Sequence, residues 1–133
     1  LGWGYSSKEI IDAMYQIKPP FNVNGAALAA SVEAIKDSEW TKRAIEHNTS
    51  WSKKIFSVLK EYKIKTNEPT ANFFLMNFDK MRINSDEIFE RLASKRLILR
   101  KMNQYKIPTA LRITVGNKEA NEHFLQSIGG IFK

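Results

Sequence analysis

Two arginines are the side chains in this sequence best suited to hold another molecule: Arg112 in Leu111-Arg112-Ile113-Thr114-Val115-Gly116 and Arg100 in Leu97-Ile98-Leu99-Arg100. A guanidinium is planar, permanently charged and able to grip a carboxylate or phosphate through two parallel hydrogen bonds. In the first phrase Leu111, Ile113 and Val115 alternate with Arg112 and Thr114. That is the period of a strand, and it fixes the arginine on a rigid element, opposite the apolar face. A lone arginine so placed ordinarily faces water. Two of them on neighbouring segments can together hold a dianion such as a phosphate, or a molecule bearing two acids. What they offer is binding rather than bond-making.

Other chemistries find little support. A metal centre needs several His, Cys, Asp or Glu side chains that converge, and only His47 and His123 are available, in separate helical stretches far apart in sequence. His47 falls on an apolar helical stripe, where a packed histidine is the expectation. A serine hydrolase would carry G-x-S-x-G, and a phosphate loop G-x-G-x-x-G or G-x-x-x-x-G-K; neither pattern occurs. The pair Asp86-Glu87 sits where the first turn of a helix is expected, and the helix dipole accounts for it.

The elements that must position the arginines can be read in order. Ser6 and Glu9 have the spacing of a capping box, so a helix is expected over about residues 7–18 until Pro19 and Pro20 stop it. Pro19-Pro20-Phe21-Asn22-Val23-Asn24 reads as an extended strap and a domain boundary. Asn24 caps a second, alanine-rich helix that ends near Asp37. From Ser38 the residues Trp40, Ala44, His47, Trp51, Ile55, Leu59 and Tyr62 trace one stripe of a long amphipathic helix, and all are expected to face the core.

Two strands follow, Lys63 to Thr66 and the apolar Asn72 to Phe78, the second expected centrally in the sheet with Phe73, Phe74 and Phe78 buried. Asn84 starts a helix that stops near Lys95, Leu97 to Arg100 forms a third strand, and Tyr105 to Thr109 is a loop into the Leu111 phrase. Gly116 and Asn117 turn the chain into a last helix, which Gly129 and Gly130 are expected to break. The fold class is α+β: a long helix plus a small, mainly antiparallel sheet covered by helices.

The 133 residues suit one ordinary domain, with 43% hydrophobic residues and no cysteine. No apolar run approaches a membrane span, so no membrane partner is expected. The net charge of +7 comes from scattered lysines rather than a basic block, and no nucleic-acid partner is expected either. The rival reading is a basic module whose sheet arginines contact RNA phosphates, which would require aromatics exposed on the sheet face. A start at Leu1 inside an apolar, glycine-rich phrase suggests a piece of a longer chain.

Several phrases in this order make the chain resemble a known family. They are Leu1-Gly2-Trp3-Gly4, Lys18-Pro19-Pro20-Phe21-Asn22-Val23-Asn24, Thr70-Ala71-Asn72-Phe73-Phe74-Leu75, Leu97-Ile98-Leu99-Arg100 and Leu111-Arg112-Ile113-Thr114-Val115-Gly116. Together they resemble the C-terminal part of the histidinol-phosphate aminotransferases, pyridoxal-phosphate enzymes of the aspartate-aminotransferase fold. The resemblance implies that residues 1–23 end the large cofactor-binding domain and form the interdomain strap, and that residues 24–133 are the small domain that closes over substrate.

It implies, further, that Arg100 and Arg112 are the substrate-binding arginines, for small anionic substrates such as histidinol phosphate and 2-oxoglutarate or glutamate. The cofactor lysine and an arginine for the cofactor phosphate would lie upstream of Gly2. Pyridoxal phosphate is therefore expected in the full-length parent and not on this fragment, which is expected to be inactive alone. A cytoplasmic location and a homodimeric parent also follow from the resemblance. So do the sister specificities, an aromatic-amino-acid aminotransferase or a threonine-phosphate decarboxylase.

Overall fold

Helix ends in this chain are set by side chains that satisfy the backbone groups a helix leaves open. In the computed structural model, which describes residues 1–132, Asn24 accepts from Ala27 N at 2.7 Å to start α2 (Gly25–Lys36). Asp37 closes α2 through its own N–H, and its carboxylate accepts from Trp40 N at 2.8 Å to open α3 (Ser38–Glu61). Asn84 does the same for α4 (Ser85–Ala93), accepting from Glu87 N at 2.9 Å, and Asn117 for α5 (Lys118–Phe132), accepting from Ala120 N at 2.8 Å. The first helix, α1 (Lys8–Ile17), differs from the expectation. Ser7 rather than Ser6 is its N-cap, and no side chain caps it, so the expected capping box does not form.

The chain separates into two units, Leu1–Arg43 and Ala44–Lys133. The first holds α1, α2 and the start of α3, and no residue of α1 or α2 is buried. Ile10, Met14 and Ile17 stand exposed at helical spacing on α1, as do Leu28, Val32 and Ile35 on α2.

The second unit carries the sheet and the core. Strands β1 (Lys65–Thr66), β2 (Phe73–Asn77), β3 (Arg100–Lys101) and β4 (Ala110–Thr114) lie in the order β1-β2-β4-β3, every pair antiparallel. Phe74 pairs with Ile113 and Met76 with Leu111, and these four are buried on the face covered by helices. Ile55 and Leu59 of α3, Ile88 and Leu92 of α4, and Phe124 and Ile128 of α5 complete that core. At about 25 cal/mol per Å² of apolar surface, each such side chain contributes about 1.5–3 kcal/mol.

Two helices end on a residue in the left-handed region that is not glycine. Lys63 (φ 57°) follows α3 and Arg96 (φ 63°) follows α4. In each case the paired Schellman hydrogen bonds form: Ile64 N to Leu59 O at 2.9 Å with Lys63 N to Lys60 O at 3.0 Å, and Leu97 N to Leu92 O at 3.0 Å with Arg96 N to Ala93 O at 2.8 Å.

Four further expectations are corrected. The third strand is Arg100–Lys101 rather than residues 97–100, because the Schellman turn at Arg96 spends the Leu97 N–H on α4 instead of the sheet. The connection after it is not plain loop but contains a 3-10 turn, Asn103–Tyr105. Gly129 and Gly130 do not break α5, which runs through both of them; Gly129 is buried, and a Cβ there would meet Tyr62 Oη at 3.1 Å. The α3 stripe turns inward only from Trp51: Trp40 is 61% exposed and His47 is also exposed.

Candidate anion-binding site

The register of β3 on β4 sets Arg100 directly opposite Arg112, and that of β2 on β4 sets Leu75 opposite Arg112. Directly opposed residues share a sheet face, so Leu75, Arg112 and Arg100 form one row on the face away from the core helices. Two like charges opposed in this way repel. Each guanidinium instead rests on an aromatic ring, Arg112 Cζ 5.1 Å from the centre of Phe73 and Arg100 Cζ 5.5 Å from that of Tyr105. Arg100 Nη2 also donates to the Tyr105 hydroxyl at 3.2 Å. Among the described residues neither guanidinium forms an ion pair with a carboxylate.

Arg112 is half-buried, and its Nε–H is buried without a hydrogen-bond partner. Buried donors are nearly always partnered, and Arg112, which carries this one, is among the residues that line a pocket. That pocket has a volume of about 210 Å³. Arg100, Arg112 and Thr114 of the sheet line it together with Leu99, Ile113, Asn121 and Phe124.

Its far corner, between β4 and α5, is held by a closed set of hydrogen bonds. Asn121 accepts from Gly116 N and donates to Gly116 O, each at 2.9 Å, and His47 Nε2 donates to the same carbonyl at 2.9 Å. A side chain at Gly116 would crowd Ala120 Cβ at 3.1 Å, so glycine permits this tight corner. His47 is thus an exposed clasp on the turn rather than a core residue.

The other titratable residues that the sequence singles out, His123, Asp86 and Glu87, are engaged elsewhere. His123 Nε2 donates to Lys95 O at 2.8 Å, Asp86 pairs with Lys101 at 2.7 Å, and Glu87 pairs with Arg91 at 2.6 Å. Sequence reasoning brought Arg100 and Arg112 together and missed their two aromatic supports. Phe73 was expected to be buried with Phe74 and Phe78. Alternation puts it on the open face, 38% exposed, and the period-2 signal for this was present in Phe73-Phe74-Leu75-Met76. Tyr105 lies in the 3-10 turn, where no periodicity marks a side chain.

A small antiparallel sheet covered by helices on one face is a fold that this chain shares with solved aminotransferases. The chain superposes on histidinol-phosphate aminotransferase from Clostridium acetobutylicum with a TM-score of 0.82 at 20% identity, over 93% of this chain and 38% of that one. It superposes on aspartate aminotransferase from Thermotoga maritima with a TM-score of 0.75 at 19% identity, over 95% and 34%. This chain belongs to the aminotransferase class I and II family, whose model matches residues 1–128.

Among curated proteins it is 42% identical, over 133 residues, to the histidinol-phosphate aminotransferase of Pelagibacter ubique, covering 99% of this chain and 37% of that protein. It is 35% identical to that of Campylobacter jejuni subsp. doylei, over 100% and 36%. The resemblance carried by the sequence phrases and the α+β fold class are thereby established. The chain spans little more than a third of the length of these relatives.

Proposed function

We propose that this chain is the substrate-closing part of an aminotransferase that moves an amino group between histidinol phosphate and 2-oxoglutarate in histidine biosynthesis. Residues 1–23 would end the large domain and form the strap, and residues 24–133 the small domain. The whole enzyme would be a cytoplasmic homodimer. The observation that carries the reading is the row Arg100–Arg112 on the open sheet face, with neither guanidinium paired to a carboxylate among the described residues. Histidinol phosphate bears a phosphate and 2-oxoglutarate two carboxylates, the groups that guanidinium grips best. The names of the curated relatives support the choice of substrate.

Pyridoxal phosphate, which the family implies, supplies the aldehyde that takes up the amino group. The residues around the arginine pair do not fit it by themselves, because none of the side chains lining the pocket is a lysine whose amine could condense with that aldehyde. Lys101, beside Arg100, pairs across the sheet with Leu111 and is bound to Asp86. This part of the enzyme would thus bind, orient and enclose the acidic substrate, and would be inactive alone. An RNA-binding reading gains little: of the three phenylalanines only Phe73 is exposed, and Arg112 covers its ring.

The test is turnover by the full-length protein. Histidinol phosphate with 2-oxoglutarate is expected to be transaminated, and Arg112→Lys to lower kcat/KM roughly 10²-fold, the loss of about 2–3 kcal/mol of charge-assisted hydrogen bonding. Turnover confined to aromatic amino acids, or decarboxylation of threonine phosphate, would replace the histidinol-phosphate assignment with a sister one. An unchanged kcat/KM in Arg112→Lys would remove Arg112 from the site.

A further inference from the structure

Tyr105 meets Arg100 twice, with the face of its ring 5.5 Å from Cζ and with its hydroxyl oxygen, which accepts from Nη2 at 3.2 Å. A phenol is both donor and acceptor. When its oxygen accepts from the guanidinium, its own proton cannot point at that group and must turn outward. The backbone that carries it is fixed. Tyr105 N donates to Met102 O at 3.0 Å, Lys106 N to Asn103 O at 2.9 Å and Ile107 N to Met102 O at 3.3 Å, with Met102 buried. Lys106 closes the turn with φ 60°. Behind it, Ser85 Oγ donates to Pro108 O at 2.7 Å and ties the same connection to the start of α4.

We propose that Tyr105 is a second substrate contact in the Arg100 half of the site: its hydroxyl, accepting from Arg100, donates its proton to the acid group that Arg100 holds. The inference rests on the assignment of Arg100 to anionic substrate and adds to it a neutral donor that was not legible in the sequence. Two donors at fixed relative positions select for an acid with several oxygens, so the pair favours a phosphate over a lone carboxylate. The 52% exposure of Tyr105 places this contact at the rim, where a substrate enters.

The experiment measures inorganic phosphate binding to the cofactor-loaded full-length protein by calorimetry. Three variants are compared with wild type: Tyr105→Phe, Arg100→Gln, and 3-fluorotyrosine placed at position 105, at a pH where its phenol stays protonated. Fluorine makes the hydroxyl a better donor and a poorer acceptor, so it separates the two roles.

Tyr105→Phe is expected to weaken phosphate binding about tenfold, the effect of one lost hydrogen bond. The melting temperature should not change, and fluorotyrosine should bind phosphate more tightly. Weaker binding in both Tyr105→Phe and fluorotyrosine would show that the hydroxyl only positions Arg100, and would overturn the contact. Binding unchanged by Tyr105→Phe but lost in Arg100→Gln would overturn it too, while leaving the arginine assignment standing. Phosphate binding indifferent to Arg100→Gln would overturn both.

Discussion

Phe73 and Phe74 are neighbours with opposite duties. Phe74 is wholly buried among core side chains, and Phe73 stands on the other face beneath the Arg112 guanidinium. Phe73→Leu is expected to weaken binding of an acidic substrate about two- to fivefold, the value of an exposed cation–π contact of about 0.5–1 kcal/mol, with little change in melting temperature. Phe74→Ala should cost about 3–5 kcal/mol and show as a large fall in the denaturation midpoint. A phosphate titration and a urea melt on the two variants separate these effects. If Phe73→Leu melted early and bound normally, the ring would belong to the fold and not to the site. Arg100 and Arg112 were visible in the sequence because a charge in an apolar alternating phrase stands out. Tyr105 was not, because its place depends on a turn whose closure rests on Lys106 in a left-handed conformation that lysine does not announce.

Among the elements, the helix starts were the most legible feature. Asn24, Asn84 and Asn117 each cap through the side chain from a position that the sequence marks. The helix ends were less so. A Schellman turn is ordinarily marked by glycine, but Lys63 and Arg96 hold that position after α3 and α4, while Gly129 and Gly130, which look like a stop, lie inside α5. Here the tertiary partners decide. Leu59, Ile64 and Leu92, which flank the two turns, belong to the core and Leu97 packs against it, and Tyr62, stacked on Phe132 at 5.7 Å, lies against Gly129. Holding an L side chain at positive φ costs roughly 1–2 kcal/mol, part of which glycine gives back through the entropy of the unfolded chain. Lys63→Gly and Arg96→Gly are each expected to raise stability by about 0.5–1 kcal/mol, read as a higher urea midpoint at unchanged slope. A lower midpoint in either would mean that the side chain, not the backbone, holds that corner.

Over the whole molecule, apolar surface is distributed unevenly. The unit Ala44–Lys133 encloses a core, whereas α1 and α2 show Ile10, Met14, Ile17, Leu28, Val32 and Ile35 to solvent. Apolar stripes of this kind ordinarily mark contact surfaces. The 133-residue chain on its own is therefore expected to associate as its concentration rises, and Ile10→Glu combined with Val32→Lys to suppress this in sedimentation velocity. Monomeric behaviour of the unsubstituted chain at high concentration would count against it. A different consequence follows from β3 being only Arg100–Lys101. So short a strand has little grip on its own alignment, and a slip of one residue would carry Arg100 through the sheet to the side where Lys101 now lies. The connection over residues 102–109, pinned by Met102 and by Ser85, therefore acts as a ruler. Substitutions within it keep its length and so the register, whereas a single inserted or deleted residue would part the two arginines while leaving the fold intact.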